Sequence, residues 1–262
     1  MRLNNCMTKS HWAERSQHWG RMGPPLIPNQ EVIDAFLELV PADKKILMLG
    51  VTPQIANAYT HVTSVDSSPD MIARVWPGNT ETKQSLHSDW RTVDLQNDLF
   101  DGIIGDGSIN MLGYPDDIRY VLKRVYGWLK PGGSLAMRFF TRPDEPITVE
   151  RLLSEAKQPT VNFSAFRRLL PMYIAATEGN SCIRSERMLE VFDELFPDRS
   201  ILPWDQEHIK SIDSYRGTTT TSWFPTRQEI LEMVDPRVTN ARFVDAGTYD
   251  IADTCPILTF TK

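Results

Sequence analysis

KKILMLGVTPQIANAYTHVTSVDSSPDMIARVW, residues 44–76, decides the fold. It opens on a short apolar run, residues 44–50, of strand length and closed by a glycine. Thr52 and Pro53 then suit the N-cap and first position of a helix running to residue 59. Residues 61–66 read as a second strand that stops on an acid, and Ser68-Pro69 starts a second helix reaching residue 76. Strand, helix, strand, helix in units this short is the signature of a parallel, doubly wound sheet.

The rhythm continues downstream. A weak third strand is expected over residues 84–90 and a fourth over 99–108. An amphipathic helix follows over 116–129, then the tight turn Pro131-Gly132-Gly133 and a fifth strand over 134–140. Residues 147–222 break the pattern, with helical apolar spacing at 149–157, 163–177 and 184–196. A helix over 226–234 and strands over 241–245 and 256–261 close the chain. The last two strands are joined by the polar loop GTYDIADT without a helix, so they pair antiparallel. The expected architecture is α/β, a doubly wound, seven-stranded and mainly parallel sheet with an antiparallel last strand and a helical insertion. Upstream, residues 31–39 are helical and Pro41 ends them. Trp12, Arg15 and Trp19 stand at i, i+3 and i+7, one face of a helix that Gly23-Pro24-Pro25 stops. The chain thus divides into an N-terminal helical lid (1–42), a core (43–146), a helical cap (147–222) and the C-terminal part of the sheet (223–262).

Composition limits the function. With 262 residues and 41% hydrophobic side chains a sizeable core is expected. The formal net charge of −6 argues against a general nucleic-acid binder. No apolar run approaches the roughly 18–20 residues of a membrane span, and the first residues lack the apolar centre of a secretory signal. Cys6, Cys182 and Cys255 are scattered and suit reduced thiols in the cytoplasm. The five histidines form no HxxxH or HExxH pattern, so no metal site is expected.

A doubly wound sheet binds its ligand at the carboxyl ends of its strands. Gly50, Val51 and Thr52 follow the first strand, where a glycine lets backbone approach a ligand and a helix N-terminus offers free amides. Asp66 ends the second, where a carboxylate can accept from two ribose hydroxyls at once; an acid stabilising the next helix dipole is the plainer reading. Asp89 and Trp90 follow the third strand, and Asp106, Gly107 and Ser108 the fourth. Trp90 also suits ordinary packing. Arg138, in an otherwise apolar strand, needs a partner and is expected to hold an acid within the fold.

At these residues the chain resembles the class I S-adenosylmethionine (SAM)-dependent methyltransferases. VTSVDSSPDMI (62–72), FDGIIGD (100–106) and LKPGGSLAMRF (129–139) carry the resemblance by their order and spacing. It implies the Rossmann-like methyltransferase fold, SAM as cofactor and S-adenosylhomocysteine as product. It places the Gly50 loop on the methionine half of SAM, Asp66 on the ribose, Ser67 and Met71 beside the adenine, Asp89 and Trp90 at the adenine edge and Asp106 near the methyl donor. The first motif departs from the family pattern. LMLGVTPQIA has one glycine where three are usual, a GVTP form that resembles an uncharacterised subgroup. A nicotinamide oxidoreductase would need GxGxxG where GVTPQI stands. The acceptor is expected to be a small molecule, met by Arg15, Trp19, Tyr215 and Trp223, with no nucleic acid or membrane as partner. A protein acceptor and a catalytically silent SAM-binding scaffold remain the alternatives, and the residues single out no catalytic group or oligomeric state.

Overall fold

The computed structural model describes residues 12, 16–17, 19–158 and 160–262. Five strands and their helices come first: α1 (Gln30–Leu39), β1 (Lys45–Leu49), α2 (Pro53–Ala58), β2 (His61–Asp66), α3 (Pro69–Arg74), β3 (Lys83–His87), β4 (Phe100–Asp106), α4 (Asp116–Trp128) and β5 (Leu129–Arg138). The cap follows with α5 (Val149–Glu155), α6 (Phe163–Glu178), β6 (Cys182–Arg184), α7 (Ser185–Leu195), α8 (Gln206–Lys210) and β7 (Thr221–Trp223). The chain ends with α9 (Arg227–Leu231), β8 (Arg242–Val244) and β9 (Ile257–Thr261).

Alternation along the strands builds the layers. Successive strand side chains point to opposite faces, so Leu47 and Leu49 meet one helical layer while Ile46 and Met48 meet the other. On the first face α4 buries Ile118, Val121, Leu122, Val125 and Trp128, one stripe at helical spacing. On the second, α1 buries Val32, Ile33 and Phe36. Its N-cap is Asn29, whose side chain accepts from the Val32 N–H.

The sheet order is β3-β2-β1-β4-β5-β9-β8. Strands β1 to β5 pair in parallel. β9 runs antiparallel to both β5 and β8. The seven strands, the parallel core and the antiparallel last strand are as the sequence pattern predicts. A plain dinucleotide sheet is parallel throughout its 3-2-1-4-5-6 order; inserting β9 beside β5 departs from it.

Three local differences have physical causes. The third strand stops at His87 rather than Trp90, because Ser88 N–H bonds to Asp66 O and the Asp89 carbonyl then accepts from Thr92 and Val93 N–H, folding the chain into a turn. Pro131-Gly132-Gly133 lies within β5 as a bulge: Phe100 pairs with Leu129, then Gly102 with Ser134. The antiparallel ribbon of β6 and β7 was not anticipated; strands of three residues are too short for periodicity to register.

The cap carries its own core. Phe163, Phe166, Phe192, Phe196 and Trp204 form an aromatic cluster, with the Phe166 and Trp204 ring centroids 4.9 Å apart. Leu26, Phe140 and Cys255 belong to that same core. Phe140 extends from the carboxyl end of β5, so the cap rests on that end of the sheet. Among the described residues no helix is long and apolar enough to cross a membrane.

Candidate functional site at the carboxyl ends of the strands

Gly50 leaves β1 at φ +97°, a conformation that favours glycine. A Cβ there would stand 3.6 Å from Ser108 Oγ and 3.8 Å from Asp66 Oδ2, so the three strand ends converge on one bare stretch of backbone. Ser64 Oγ–H donates to Gly50 O at 2.8 Å, and Ser108 Oγ–H to Leu49 O at 3.2 Å. Asp66 accepts from Val51 N–H at 3.2 Å through Oδ2 and from Ser68 N–H at 2.7 Å through Oδ1. Each oxygen thereby keeps a free lone pair. Burial pushes the Asp66 carboxyl up to about 6, against the pull of those two N–H donors and of His87. Thr52 precedes α2 as predicted, with Pro53 at its first position, but its buried side chain makes no capping bond.

The expected adenine side is more heavily tied. Asp89 is clasped by Arg91, with Nε 2.9 Å from Oδ1 and Nη2 2.5 Å from Oδ2, and Arg91 also reaches Asp117 at 2.7 Å. The Arg91 bonds hold Asp89 below the usual carboxylate range although burial opposes them. Trp90 Nε1–H donates to Val65 O at 2.6 Å and the ring packs on the α4 side of the sheet. Ser67 is exposed, and its carbonyl lies 3.1 Å from His87 Nε2. Met71 is buried in the core beneath α3.

The fourth strand end splits into two functions. The Asp106 carboxylate is turned into a buried ion pair with Arg138 at 2.5 Å, so the acid expected near the methyl donor is the partner Arg138 needed. Arg138 also donates to Tyr249 Oη at 2.8 Å and to Pro25 O at 2.7 Å, tying the N-terminal segment and the β8–β9 loop to β5. Gly107, at φ +64°, lies flat on the Phe140 ring, where a Cβ would sit 2.5 Å from Cε2. Asn110 then bridges the elements: its Nδ2 donates to Phe140 O at 2.7 Å and Trp223 O at 2.6 Å, and its Oδ1 accepts from Phe140 N–H.

Trp12 and Trp19 pack against the cluster that holds Val51, Ile55 and Met71, and Trp19 Nε1 is buried without an acceptor among the described residues. Arg15 lies outside the described residues. Tyr215 is buried in the cap, and Trp223 packs on Tyr114 in a tilted pair with centroids 4.9 Å apart. Sequence reading missed Asn110, Phe140 and Tyr249. Asn110 and Tyr249 stand in irregular segments with no periodic signal, and Phe140 reads as one more core aromatic.

Residues 50–137 match the family model of a methyltransferase domain. An uncharacterised methyltransferase of Mycobacterium tuberculosis is 29% identical over 91 residues, 34% of this chain and 45% of that protein, so the match spans less than half of the relative's length. Among solved structures, the Burkholderia thailandensis 1,6-didemethyltoxoflavin-N1-methyltransferase, with 1,6-didemethyltoxoflavin and S-adenosylhomocysteine bound, has a TM-score of 0.52 at 12% identity, over 97% of this chain and 86% of that one. A Rhodobacter sphaeroides protein provisionally named a zinc-dependent alcohol dehydrogenase has a TM-score of 0.61 at 14% identity, covering 98% and 99%. At such identities these two likenesses speak to fold alone.

Proposed function

We propose that the chain, whose residues 50–137 match a methyltransferase-domain family, is a class I SAM-dependent methyltransferase that moves the S-methyl group of SAM onto a small acceptor held between the sheet and the helical cap. The observation that carries this reading is the convergence of Gly50, Asp66 and Ser108 on one bare backbone cradle. The residues present fit the cofactor: Gly50 has no side chain to fill the cradle, and Asp66 keeps one lone pair per oxygen for a pair of ribose hydroxyls. When bound, SAM supplies a methyl group already activated on a sulfonium, so the protein's part is alignment and exclusion of water.

The chain's own residues divide that work. The Gly50–Val51–Thr52 backbone meets the methionine half, and Asp66 orients the ribose. Ser67 and Met71 flank the adenine. Asp89, its charge fixed by Arg91, offers its remaining Oδ2 lone pair to the adenine amine, with Trp90 behind it. Asp106 acts through Arg138, holding Gly107 and Ser108 beside the methyl donor. Tyr215 and Trp223 belong to the acceptor side, and Trp19, with Arg15, to the lid. An amine, thiol or activated carbon acceptor needs no general base, and none is assigned. The free, buried Cys255 thiol suits a reducing compartment, and we place the activity in the cytoplasm.

The single glycine of GVTP favours one second reading, a silent SAM-binding scaffold. Calorimetric titration with SAM and S-adenosylhomocysteine, then incubation of labelled SAM with fractionated cell extract, separates the readings. Binding of both ligands and label appearing in the low-molecular-weight fraction is expected. Label confined to protein would move the acceptor to a macromolecule, binding without transfer would leave the scaffold, and no binding would remove the methyltransferase reading.

A further inference from the structure

Arg168 stands on α6 beside Arg167, with Phe166 before the pair and Leu169 after it, and is 6% exposed. Its surroundings are aromatic: the guanidinium carbon lies 5.6 Å from the Phe140 ring centroid and 6.0 Å from that of Phe224. The Tyr215 hydroxyl is a hydrogen-bond partner. Its Nε–H is buried with no acceptor, and no carboxylate among the described residues pairs with it. Burial holds its pKa below the ordinary arginine value, and the neighbouring Arg167 pushes the same way.

Arg138 is the natural comparison. It is also buried and lies 5.7 Å from the same Phe140 ring. Yet it has Asp106, Tyr249 and the Pro25 carbonyl to take its protons. Two buried arginines therefore flank one phenyl ring; the first is neutralised within the fold and the second is not. An unpaired buried charge opposes folding strongly, and natural chains keep such groups where binding uses them.

The location fits a ligand. Ser108 borders Gly50, Gly107 follows Asp106 at the same strand end, and Phe140 lies against Gly107. A continuous line of contacts thus leads from the proposed cofactor cradle to the ring on which Arg168 rests. We propose that Arg168 recognises an anionic group on the methyl acceptor, and that this group is a carboxylate. This deepens the function proposed above and rests on it. One guanidinium supplies one positive charge and a planar fork that matches a carboxylate in bidentate fashion.

The test uses the full-length protein loaded with S-adenosylhomocysteine, whose own affinity is measured first. Acetate and benzoate are titrated against their uncharged amides, acetamide and benzamide, and against inorganic phosphate, in wild type and in Arg168→Met. At least one carboxylate is expected to bind about tenfold or more tightly than its amide and than phosphate, and to lose that preference in Arg168→Met. The ligand-free variant is expected to melt at the wild-type temperature or above, since an unpaired charge has been replaced by an apolar chain. Equal binding of acids and amides by wild type would overturn the proposal, as would a carboxylate preference that survives in Arg168→Met or a preference for phosphate. If the variant does not fold, the acid–amide comparison on wild type still decides. Binding of S-adenosylhomocysteine without any carboxylate preference sinks this inference alone, whereas failure to bind S-adenosylhomocysteine sinks the methyltransferase reading.

Discussion

Asp66 serves two opposed demands. Its backbone donors, Val51 and Ser68, favour the carboxylate, while burial favours the acid and prevails, raising the pKa to about 6. In the ligand-free fold the sign is clear. The folded value lies above the unfolded one of 3.8, so the stability this group contributes is present below that value and lost as pH rises to about 6. Ribose hydroxyls need the charged form as acceptor, so affinity for SAM should fall as pH drops below about 6, by up to about tenfold per pH unit; calorimetry at stepped pH measures it. Asp66→Ala should weaken binding by about 1.5–3 kcal/mol with the fold intact, and its pH dependence below neutrality should flatten. Unchanged affinity in a folded variant would reduce Asp66 to an acid serving the α3 dipole. The Asp106–Arg138 pair is a different kind of residue effect. Arg138→Met leaves a carboxylate that is 3% exposed without its cation, so a loss of about 3–5 kcal/mol in denaturant unfolding is expected. A smaller loss would mean that Asp106 finds other donors or water.

At the scale of elements, the loop after β4 links the proposed cofactor side to the proposed acceptor side. Gly107 turns at φ +64° against Phe140, and Asn110 pins the next turn to the residue pair following β5 and to β7 through two carbonyls and one N–H. Asn110→Ala leaves those groups without partners and should cost at least about 2 kcal/mol, read as a lowered midpoint in denaturant. A near-neutral result would show that water replaces the amide. How legible the chain was also differs by element. β2 was expected over 61–66 and occupies His61–Asp66, because the short run through Val62 and Val65, closed by an acid, is written in the residue order. α4 and the cap helices were legible through their apolar stripes. The strand-end acids were legible as positions but not as bonds. Nothing in SDWR says that Arg91 folds back on Asp89, and nothing in GDGS says that its acid meets Arg138, 32 residues on. Arg138 could be read as needing a partner; which acid it meets depends on the register of β4 against β5, which pairs Asp106 with Arg138. Arg168 was not singled out at all, since an arginine on a helix ordinarily keeps its charge in water.

The whole molecule joins three buried clusters, one on each face of the sheet and one in the cap. The N-terminal segment touches two of them. Leu26 enters the cap core and Pro25 supplies a carbonyl to Arg138, whereas Trp12 and Trp19 lean on the cluster behind Val51, Ile55 and Met71. These contacts predict different results for two truncations. Removing residues 1–27 deletes buried Leu26 and Ile27 and takes an acceptor from a fully buried guanidinium, so folding itself should suffer. Removing residues 1–22 spares those groups and takes away the two partly buried tryptophans, so the melting temperature should change little. The active site should suffer instead. A sulfonium donor reacts best in a dry, closed setting, and two tryptophans laid over the cluster behind the Gly50 loop are the surface at hand to close it. For the shorter truncation we therefore expect affinity for S-adenosylhomocysteine to fall by about tenfold or more, the loss of roughly 1.4 kcal/mol or more, and methyl transfer to fall further. Thermal melts and calorimetry on both truncations check this together. If the shorter one melts as low as the longer, the tryptophans are part of the core; if it binds S-adenosylhomocysteine as wild type does, they cover nothing the cofactor needs.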